Sequence, residues 1–220
     1  MPRAKIRGVP PRRQGRRHRS RVDSALGRLA LVGRLGFPRH PARPETSFRK
    51  AGNVVVVLMG VSGSGKTTIG TRLASELGWP FADGDDYHSP ANVEKMRNGI
   101  PLTDTDRAPW LDALRSLIAK WIADGTSGVL ACSALKQTYR EKLAVGPEVH
   151  FVFLTASPEV LRVRLNAREG HYMKEKMLQS QLATLELPDD AVVVDVSGSI
   201  AETLQQVREK LGLSRSPSLA

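Results

Sequence analysis

The feature that most constrains the fold is the stretch from Asn53 to Ile69, which reads NVVVVLMGVSGSGKTTI. Its continuous apolar run, Val54 to Met59, predicts a buried strand. The octet that follows, Gly60 to Thr67, matches the pattern G-x-x-x-x-G-K-[ST] in full. Backbone amides of such a turn converge on phosphate oxygens at the start of the next helix. The sequence therefore predicts a strand, a phosphate-binding loop and a helix, with a chance glycine turn as the alternative.

The residue types of the octet suit the binding of a nucleotide triphosphate. Gly60, Gly63 and Gly65 allow backbone conformations that a side chain would disfavour. Lys66 is predicted to neutralise the β- and γ-phosphates, and the Thr67 hydroxyl to ligate Mg²⁺. The predicted nucleotide-binding residues are Gly60, Val61, Ser62, Gly63, Ser64, Gly65, Lys66, Thr67 and Thr68.

A second candidate cluster, Asp83-Gly84-Asp85-Asp86-Tyr87-His88, follows a short predicted strand at Phe81 and Ala82. The carboxyl ends of parallel strands meet at one edge of the sheet, where ligands bind. Two carboxylates two residues apart are well placed there for different tasks, one near a metal and one near a substrate hydroxyl. An ordinary acidic turn is the alternative, because Asp and Gly favour turns. His88 is either a ligand of the site or a packing or capping histidine.

Strand and helix alternate from Val54 onward, which predicts an α/β fold with a parallel sheet of about five strands and helices on both faces. Further strands are predicted at 128–132, 149–154 and 191–196, and helices at 68–77, 91–98, 103–123, 177–185 and 199–211. The helix that begins at Ser157-Pro158 carries Arg162, Arg164 and Arg168. These arginines form either a solvated helix face or a mobile lid that closes over the nucleotide and stabilises the transferring phosphoryl group.

The charge of the chain is concentrated outside this alternating region. The 220 residues carry a formal net charge of +11, and residues 1–50 hold 15 of the 33 Lys and Arg but 2 of the 22 Asp and Glu. A basic balance usually suggests nucleic-acid binding. Because the remainder is slightly acidic, we predict a basic disordered leader at 1–50, a phosphate-loop domain at 51–212 and a flexible tail at 213–220. The leader is a solvated extension, an organelle-targeting segment or a nucleic-acid contact, and the sequence leaves these alternatives open.

Cysteine content and hydropathy indicate the compartment. Cys132 is the only cysteine, so no intrachain disulfide forms and a reducing, cytoplasmic location is expected. Its position in an apolar run predicts a buried core residue rather than a nucleophile. No apolar stretch approaches the roughly 20 residues that span a bilayer, so we expect a soluble protein without a membrane partner.

Several motifs in order make the chain resemble the gluconokinase family. Besides the phosphate loop they are Asp83-Gly84-Asp85 with His88, Asn92 with Lys95-Met96 and Gly99, Pro101-Leu102 with Asp104, Asp106-Arg107, Pro109-Trp110-Leu111, Cys132-Ser133-Ala134-Leu135-Lys136 with Tyr139-Arg140, Arg164 with Arg168 and Gly170-His171, and Met177-Leu178 with Ser180-Gln181 and Leu185-Glu186. The resemblance covers about Val54 to Leu211. One departure is Tyr172, where the family more often has Phe.

The resemblance implies ATP-dependent phosphorylation of D-gluconate at its terminal hydroxyl, with Mg²⁺ and a lidded fold like that of shikimate and nucleoside monophosphate kinases. Lys66 would hold the phosphates, Asp85 would orient or deprotonate the hydroxyl, and Asp83 would lie near the metal, although the two carboxylates could be reversed. Candidates for the remaining contacts are Arg107, Lys136 and Arg140 for the substrate carboxylate, His88 and His171 for its hydroxyls, Arg164 for the nucleotide and Arg168 for the transferred phosphate.

Direct in-line transfer without a covalent phospho-enzyme is expected. The alternatives are a kinase for another small acid or nucleotide, and a nucleic-acid-binding protein that uses nucleotide only as a ligand. A nucleic-acid partner is not expected. The oligomeric state is left open, with a homodimer as one candidate.

Overall fold

A computed structural model describes residues 52–166 and 171–213, without the side chains of 166 and 171–176. The predicted leader, Arg168 and all but the first residue of the predicted tail lie outside these residues. His171 is described as the first residue of a helix, but its side chain is not.

Among the described residues the strands are β1 (Val55–Met59), β2 (Phe81–Asp83), β3 (Gly128–Ala131), β4 (Val149–Thr155) and β5 (Val192–Asp195). They form one parallel sheet in the order β2-β3-β1-β4-β5. The central strand β1 is fully buried along its length, as a continuous apolar run predicts for a strand covered on both faces. Its Leu58 is in register with Ala131 of β3 and with Val152 of β4, so these strands end at one common edge. The predicted fold class is confirmed.

The helices of the described residues follow the strands in alternation. They are α1 (Lys66–Leu77), α2 (Pro90–Arg97), α3 (Asp104–Ala123), α4 (Gln137–Leu143), α5 (Pro158–Asn166), α6 (His171–Thr184) and α7 (Ile200–Leu211), with a 3₁₀ turn at Gly84–Tyr87. Helix α6 begins at His171 rather than at the predicted Met177. The added turn has no apolar spacing to signal it, but Lys and Glu are good helix formers.

Helix starts predicted from Thr103 and Ser199 are confirmed as capping boxes. The Thr103 hydroxyl accepts a hydrogen bond from Asp106 N at 3.1 Å, and Asp106 Oδ2 accepts one from Thr103 N at 2.9 Å. Ser199 and Glu202 repeat this arrangement at the start of α7. Reciprocal caps of this kind satisfy backbone amides that a helix start leaves unpaired. They set where α3 begins, and therefore where the following residue, Arg107, points.

The core lies on both faces of the sheet, and one apolar face of α3 is buried in it. Trp110 and Trp121 are 3% and 8% exposed. Cys132 is also buried, and its burial raises the pKa of the thiol to about 12, so this cysteine is a core residue as predicted. Within residues 52–166 and 171–213, the structure has no helix whose length and apolarity would let it cross a bilayer.

Candidate active site

The glycine-rich loop joins the carboxyl end of β1 to the first turn of α1. Gly60, Gly63 and Gly65 all have positive φ angles, of 141°, 84° and 90°. At Gly60 a Cβ atom would lie 2.6 Å from the backbone oxygen of Leu154. Because that oxygen belongs to strand β4 and cannot move aside, only glycine fits at Gly60.

Two side chains of the loop are oriented by its backbone. Lys66 Nζ donates hydrogen bonds to the carbonyl oxygens of Gly60, at 3.0 Å, and Val61, at 3.2 Å, which centres the ammonium over the loop. The Ser64 hydroxyl is buried and has no partner among the described residues. A buried donor without a partner is costly, so the loop fits an anion that would accept this hydrogen bond.

Asp83 links the loop to the second strand. Its Oδ2 accepts a hydrogen bond from Thr67 Oγ1 at 2.7 Å, and its Oδ1 accepts one from Asp85 N at 3.1 Å. A hydroxyl and a carboxylate side by side are the hard oxygen ligands that Mg²⁺ prefers. Within the described parts of the chain no group of three or more His, Cys, Asp or Glu side chains is arranged to hold a metal. A metal here would therefore take its other ligands from phosphate and water.

Asp85 lies two residues beyond the end of β2 and faces the same cleft as Lys66. The residue keeps contact with solvent, but the surrounding cleft desolvates its carboxyl in part, and this burial raises the pKa of Asp85. The nearby Asp83 charge raises it further, whereas Lys66 and His88 act in the opposite direction. A carboxylate with a raised pKa is a better proton acceptor, as a general base requires.

Trp110 supports the segment that carries Asp85. Its Nε1 donates a hydrogen bond to the Gly84 backbone oxygen at 2.7 Å, and its ring stacks on His88 with centroids 4.5 Å apart. Burial lowers the pKa of His88, and the Arg107 charge lowers it further against the opposing effect of Asp85, which favours a neutral imidazole. The buried Trp110 therefore holds both ends of the acidic turn, at Gly84 and at His88.

We expect Trp110→Phe to lower turnover while preserving the fold. Phenylalanine keeps an aromatic surface for His88 but leaves the buried Gly84 oxygen without its donor, which costs about 1–3 kcal/mol. The free energy of unfolding, measured in denaturant, should fall by that amount. The rate of any reaction that uses the Asp85 carboxyl should fall with it, because Asp85 would be less well positioned. An unchanged free energy of unfolding together with an unchanged rate would show that the Trp110 hydrogen bond does not support the acidic turn.

A cavity of about 260 Å³ opens beside the loop at the carboxyl edge of the sheet, and we call it the acceptor cavity. Its polar lining consists of Ser62, Lys66, Asp85, His88, Arg107, Ser133, Ser180 and Gln181. Its apolar lining includes Met96, Ile100, Leu102, Trp110 and Met177. The cavity thus combines a carboxylate, an ammonium and a guanidinium with several hydroxyl and amide groups, which suits a small polyhydroxy anion.

Arg107 is the one of the three predicted carboxylate partners that the structure brings to this cavity. Its Nη1 donates to the Leu102 oxygen at 2.6 Å, and its guanidinium lies 5.9 Å from the centroid of the Tyr139 ring. The ring and the carbonyl fix the side chain, because both favour a cation in this position. The remaining guanidinium donors are those that a carboxylate could engage.

Lys136 and Arg140 are placed differently from what we predicted. Lys136 Nζ lies 2.8 and 2.7 Å from the two carboxylate oxygens of Asp104, and this hydrogen bonding raises the pKa of the ammonium and lowers that of the carboxyl. Arg140 is 2% exposed and donates to the backbone oxygens of Ala134, at 3.1 Å, and Glu186, at 3.1 Å. Neither lines the acceptor cavity, and Arg140 has a structural role.

A second cavity, of about 310 Å³, lies on the other side of the loop, and we call it the nucleoside cavity. It brings together the predicted residues Gly63, Ser64, Gly65, Thr68 and Arg164. Its far wall consists of Val196, Gly198, Ile200 and Thr203, which the sequence analysis missed because this segment carries no distinctive motif. Arg164 joins the two sides, since its Nη2 donates to the Val196 oxygen.

Gln181 and Ser62 form a contact that the sequence analysis also missed. The backbone N of Ser62 donates to Gln181 Oε1 at 2.6 Å, which joins the phosphate loop to helix α6. The only sequence signal was the Ser180-Gln181 pair within the family motifs. Arg168 and the His171 side chain lie outside the described residues, so their predicted roles stay predictions.

Residues 55–188 match a sequence family described as AAA domain. A gluconokinase of Gluconobacter oxydans (strain 621H) is 53% identical over 146 residues, covering 65% of this chain and 82% of that protein. The thermosensitive gluconokinase of Escherichia coli (strain K12) is 42% identical over 158 residues, covering 70% and 84%. The crystal structure of a gluconokinase from Sinorhizobium meliloti 1021 has a TM-score of 0.66 and 43% identity, covering 74% of this chain and 94% of that one.

Proposed function

The chain belongs to the gluconokinase family of phosphate-loop kinases, and we propose that it transfers the terminal phosphoryl group of ATP to D-gluconate, giving 6-phospho-D-gluconate. The observation that carries this assignment is the acceptor cavity, which places Asp85 and Arg107 beside Lys66 of the phosphate loop. A sugar acid needs a base for its hydroxyl and a cation for its carboxylate, and this cavity has both.

The nucleotide would lie along the loop from one cavity to the other. The Lys66 ammonium, the Ser64 hydroxyl and backbone amides of the loop would hold the phosphates, with the nucleoside in the cavity beside Arg164. The amides of Gly60, Ser62 and Ser64 are excepted, because they donate to Ser133, Gln181 and Val61. Thr67 and Asp83 are the residues that would hold Mg²⁺, since their oxygens are adjacent. When bound, the metal neutralises charge on the phosphate oxygens.

Asp85 is proposed to act on the terminal hydroxyl of the acid. As that oxygen forms its bond to the γ-phosphorus, the bond from phosphorus to the ADP oxygen breaks and the hydroxyl proton passes to Asp85. Lys66 offsets the charge that develops on the transferred group, and Arg168 is proposed to assist. The buried Cys132, with its pKa of about 12, offers no nucleophile, in keeping with direct in-line transfer.

We expect Arg107→Leu to raise the KM for gluconate roughly 10- to 100-fold, because a charge-assisted hydrogen bond contributes about 1.5–3 kcal/mol. The KM for ATP should change little. Arg115→Leu is the matched control, since Arg115 lies on the same helix but is exposed and donates to the Lys142 oxygen instead. Steady-state kinetics with varied gluconate test this. A similar KM for Arg107→Leu and the control would exclude Arg107 as the carboxylate ligand.

The function itself is tested by ADP release from the purified chain with Mg·ATP and gluconate, shikimate or no acceptor. Gluconate-dependent ADP release, with 6-phosphogluconate identified as product, is the expected result. Release with another acid alone would reassign the substrate within the same chemistry. Release that does not depend on any acceptor would contradict the proposal.

The remaining predictions concern the cellular location, nucleic-acid binding and oligomeric state of the enzyme. A cytoplasmic location is supported by the single cysteine, which rules out an intrachain disulfide. Independence from nucleic acid is supported by the slightly acidic composition of the predicted domain, and it would be tested by activity after deletion of residues 1–50. A homodimer stays a prediction that sedimentation would test.

A further inference from the structure

Gln181 of helix α6 contacts the phosphate loop, and the hydrogen bond that it makes there determines the orientation of its carboxamide. The Ser62 backbone N–H is a donor, so the atom that it meets at 2.6 Å must be the carboxamide oxygen. The amide nitrogen, Nε2, then points away from the loop with two N–H groups. No described residue accepts a hydrogen bond from it, although Gln181 lines the acceptor cavity.

The contact lies on the acceptor side of the loop. Ser62 and Lys66 line the acceptor cavity, whereas Gly63, Ser64 and Gly65 line the nucleoside cavity. The Gln181 side chain therefore stands where the phosphate loop and the acceptor meet. A ligand group that reaches its Nε2 would belong to the acceptor.

Helix α6, which carries Gln181, is fixed by contacts along its inner face and just past its end. Leu178 and Leu182 on its inner face are 4% and 2% exposed, so the helix is packed on the core next to Gln181. Just past its end, Glu186 N donates to the Leu135 oxygen at 2.8 Å, and Glu186 Oε2 accepts from Gln137 N at 2.6 Å. Arg140 donates to the Glu186 oxygen, which gives this buried arginine its role. A side chain supported in this way is preorganised, as specific recognition requires.

We propose that Gln181 is a specificity-determining residue: its Oε1 holds the phosphate loop through Ser62 while its Nε2 donates a hydrogen bond to a hydroxyl oxygen of the sugar acid. This rests on the proposed function. The chemistry is complementary, because a polyol chain offers hydroxyl oxygens as acceptors and the cavity offers Nε2 as a donor. A site built to pair with a hydroxyl discriminates strongly, since its buried polar group is left unpaired by the wrong ligand.

The test compares three variants of the full chain. Gln181→Glu keeps an oxygen for the Ser62 N–H but replaces the donor with an acceptor, Gln181→Met removes both groups without adding charge, and Gln179→Glu is the matched control. Gln179 lies on the same helix, is exposed and does not line the acceptor cavity. The measurements are the KM for gluconate, kcat, the Kd for ATP by titration and the Tm.

We expect both Gln181 variants to raise the KM for gluconate roughly tenfold or more, the loss expected for a hydrogen bond in a cleft. The Kd for ATP of Gln181→Glu should stay within about twofold of wild type, and the Tm of each variant should confirm a folded chain. An increase in KM for Gln181→Glu but not for Gln181→Met would reflect charge repulsion and would overturn the donor assignment. A loss confined to kcat or to ATP affinity, or kinetics equal to those of Gln179→Glu, would overturn it as well.

This design separates the inference from the function on which it rests. If wild-type chain fails to phosphorylate gluconate, the proposed function is wrong. If wild type phosphorylates gluconate and Gln181→Met has an unchanged KM, only the role of Gln181 is wrong.

Discussion

Replacing Lys66 by methionine is expected to lower kcat/KM for ATP-dependent phosphorylation roughly 10²- to 10³-fold. The ammonium is centred on the loop by the Gly60 and Val61 oxygens, so under the proposed function it would meet the phosphates where negative charge moves during transfer. Removing one preorganised charge or donor of this kind typically has an effect of that size. Methionine keeps the unbranched shape of the side chain, which limits the change to the charge.

The measurement is ADP release at saturating gluconate over a range of ATP concentrations. Lys120→Met is a matched control, because Lys120 lies on the exposed side of α3, away from the loop, and pairs with Asp124. A rate for Lys66→Met within tenfold of this control would contradict the assigned role. A lower Tm in Lys66→Met alone would indicate a structural effect and would require comparison with Lys66→Arg.

Asp85→Asn is expected to lower kcat by roughly 10²- to 10⁴-fold, the range associated with loss of a general base. Asparagine is nearly isosteric with aspartate but cannot accept the hydroxyl proton. Asp86→Asn is the matched control, since Asp86 is the next residue and does not line the acceptor cavity. A similar kcat for the two variants would contradict the assignment of Asp85 as the base. Asp83→Asn would then be measured, because the sequence does not decide which of the two carboxylates is the base and which lies near the metal.

The pH profile supplies an independent check. Burial and the Asp83 charge raise the pKa of Asp85, so its protonated form persists to higher pH than for an ordinary carboxyl, and a protonated Asp85 could not act as the proposed base. Activity of the wild type should therefore fall as pH decreases through the raised pKa, and this acidic limb should be absent from the residual activity of Asp85→Asn. A profile with no acidic limb in the wild type would contradict a carboxylate base.

The same shift predicts the effect of this variant on stability. Because the folded-state pKa of Asp85 is raised, the folded chain binds this proton more tightly than the unfolded chain does, and ionisation at neutral pH opposes folding. This unfavourable contribution to the free energy of unfolding develops as the pH rises from 3.8, the ordinary pKa of the carboxyl, through the raised pKa. Asp85→Asn removes it, so the Tm at neutral pH should be equal to or higher than that of wild type. Inactivity with an undiminished Tm would separate catalysis from folding.

The local sequence was sufficient to predict those elements whose conformation depends on residues close together in the chain. The strand before Gly60, the loop itself and the caps at Thr103 and Ser199 were all predictable, because each follows from residues within a few positions of one another. The fold class followed in turn from the alternation of these elements. The contact between Thr67 and Asp83 was also anticipated in outline, since both follow parallel strands that end at one edge.

The sequence was insufficient where the role of a residue depends on contacts with residues that are distant in the chain. Arg107 and Arg140 are the same residue type in neighbouring motifs, yet one lines a cavity and the other is buried among the carbonyl oxygens of Ala134 and Glu186. Lys136 does not line the acceptor cavity and instead pairs with Asp104, which is 32 positions away in the chain. Gln181 was missed for the same reason, because its partner Ser62 is distant in sequence.

The burial of Cys132 has a practical consequence for testing whether helix α6 moves when ligands bind. The chain has one cysteine, and its thiol, which is 2% exposed and has a pKa of about 12, should be inert to maleimide reagents. A cysteine introduced at Gln179 would then be the sole reactive thiol, on the outer side of the helix whose inner side contacts the phosphate loop. A fluorophore attached there would report movement of α6 as ATP and gluconate are added, without any need to remove a native cysteine first.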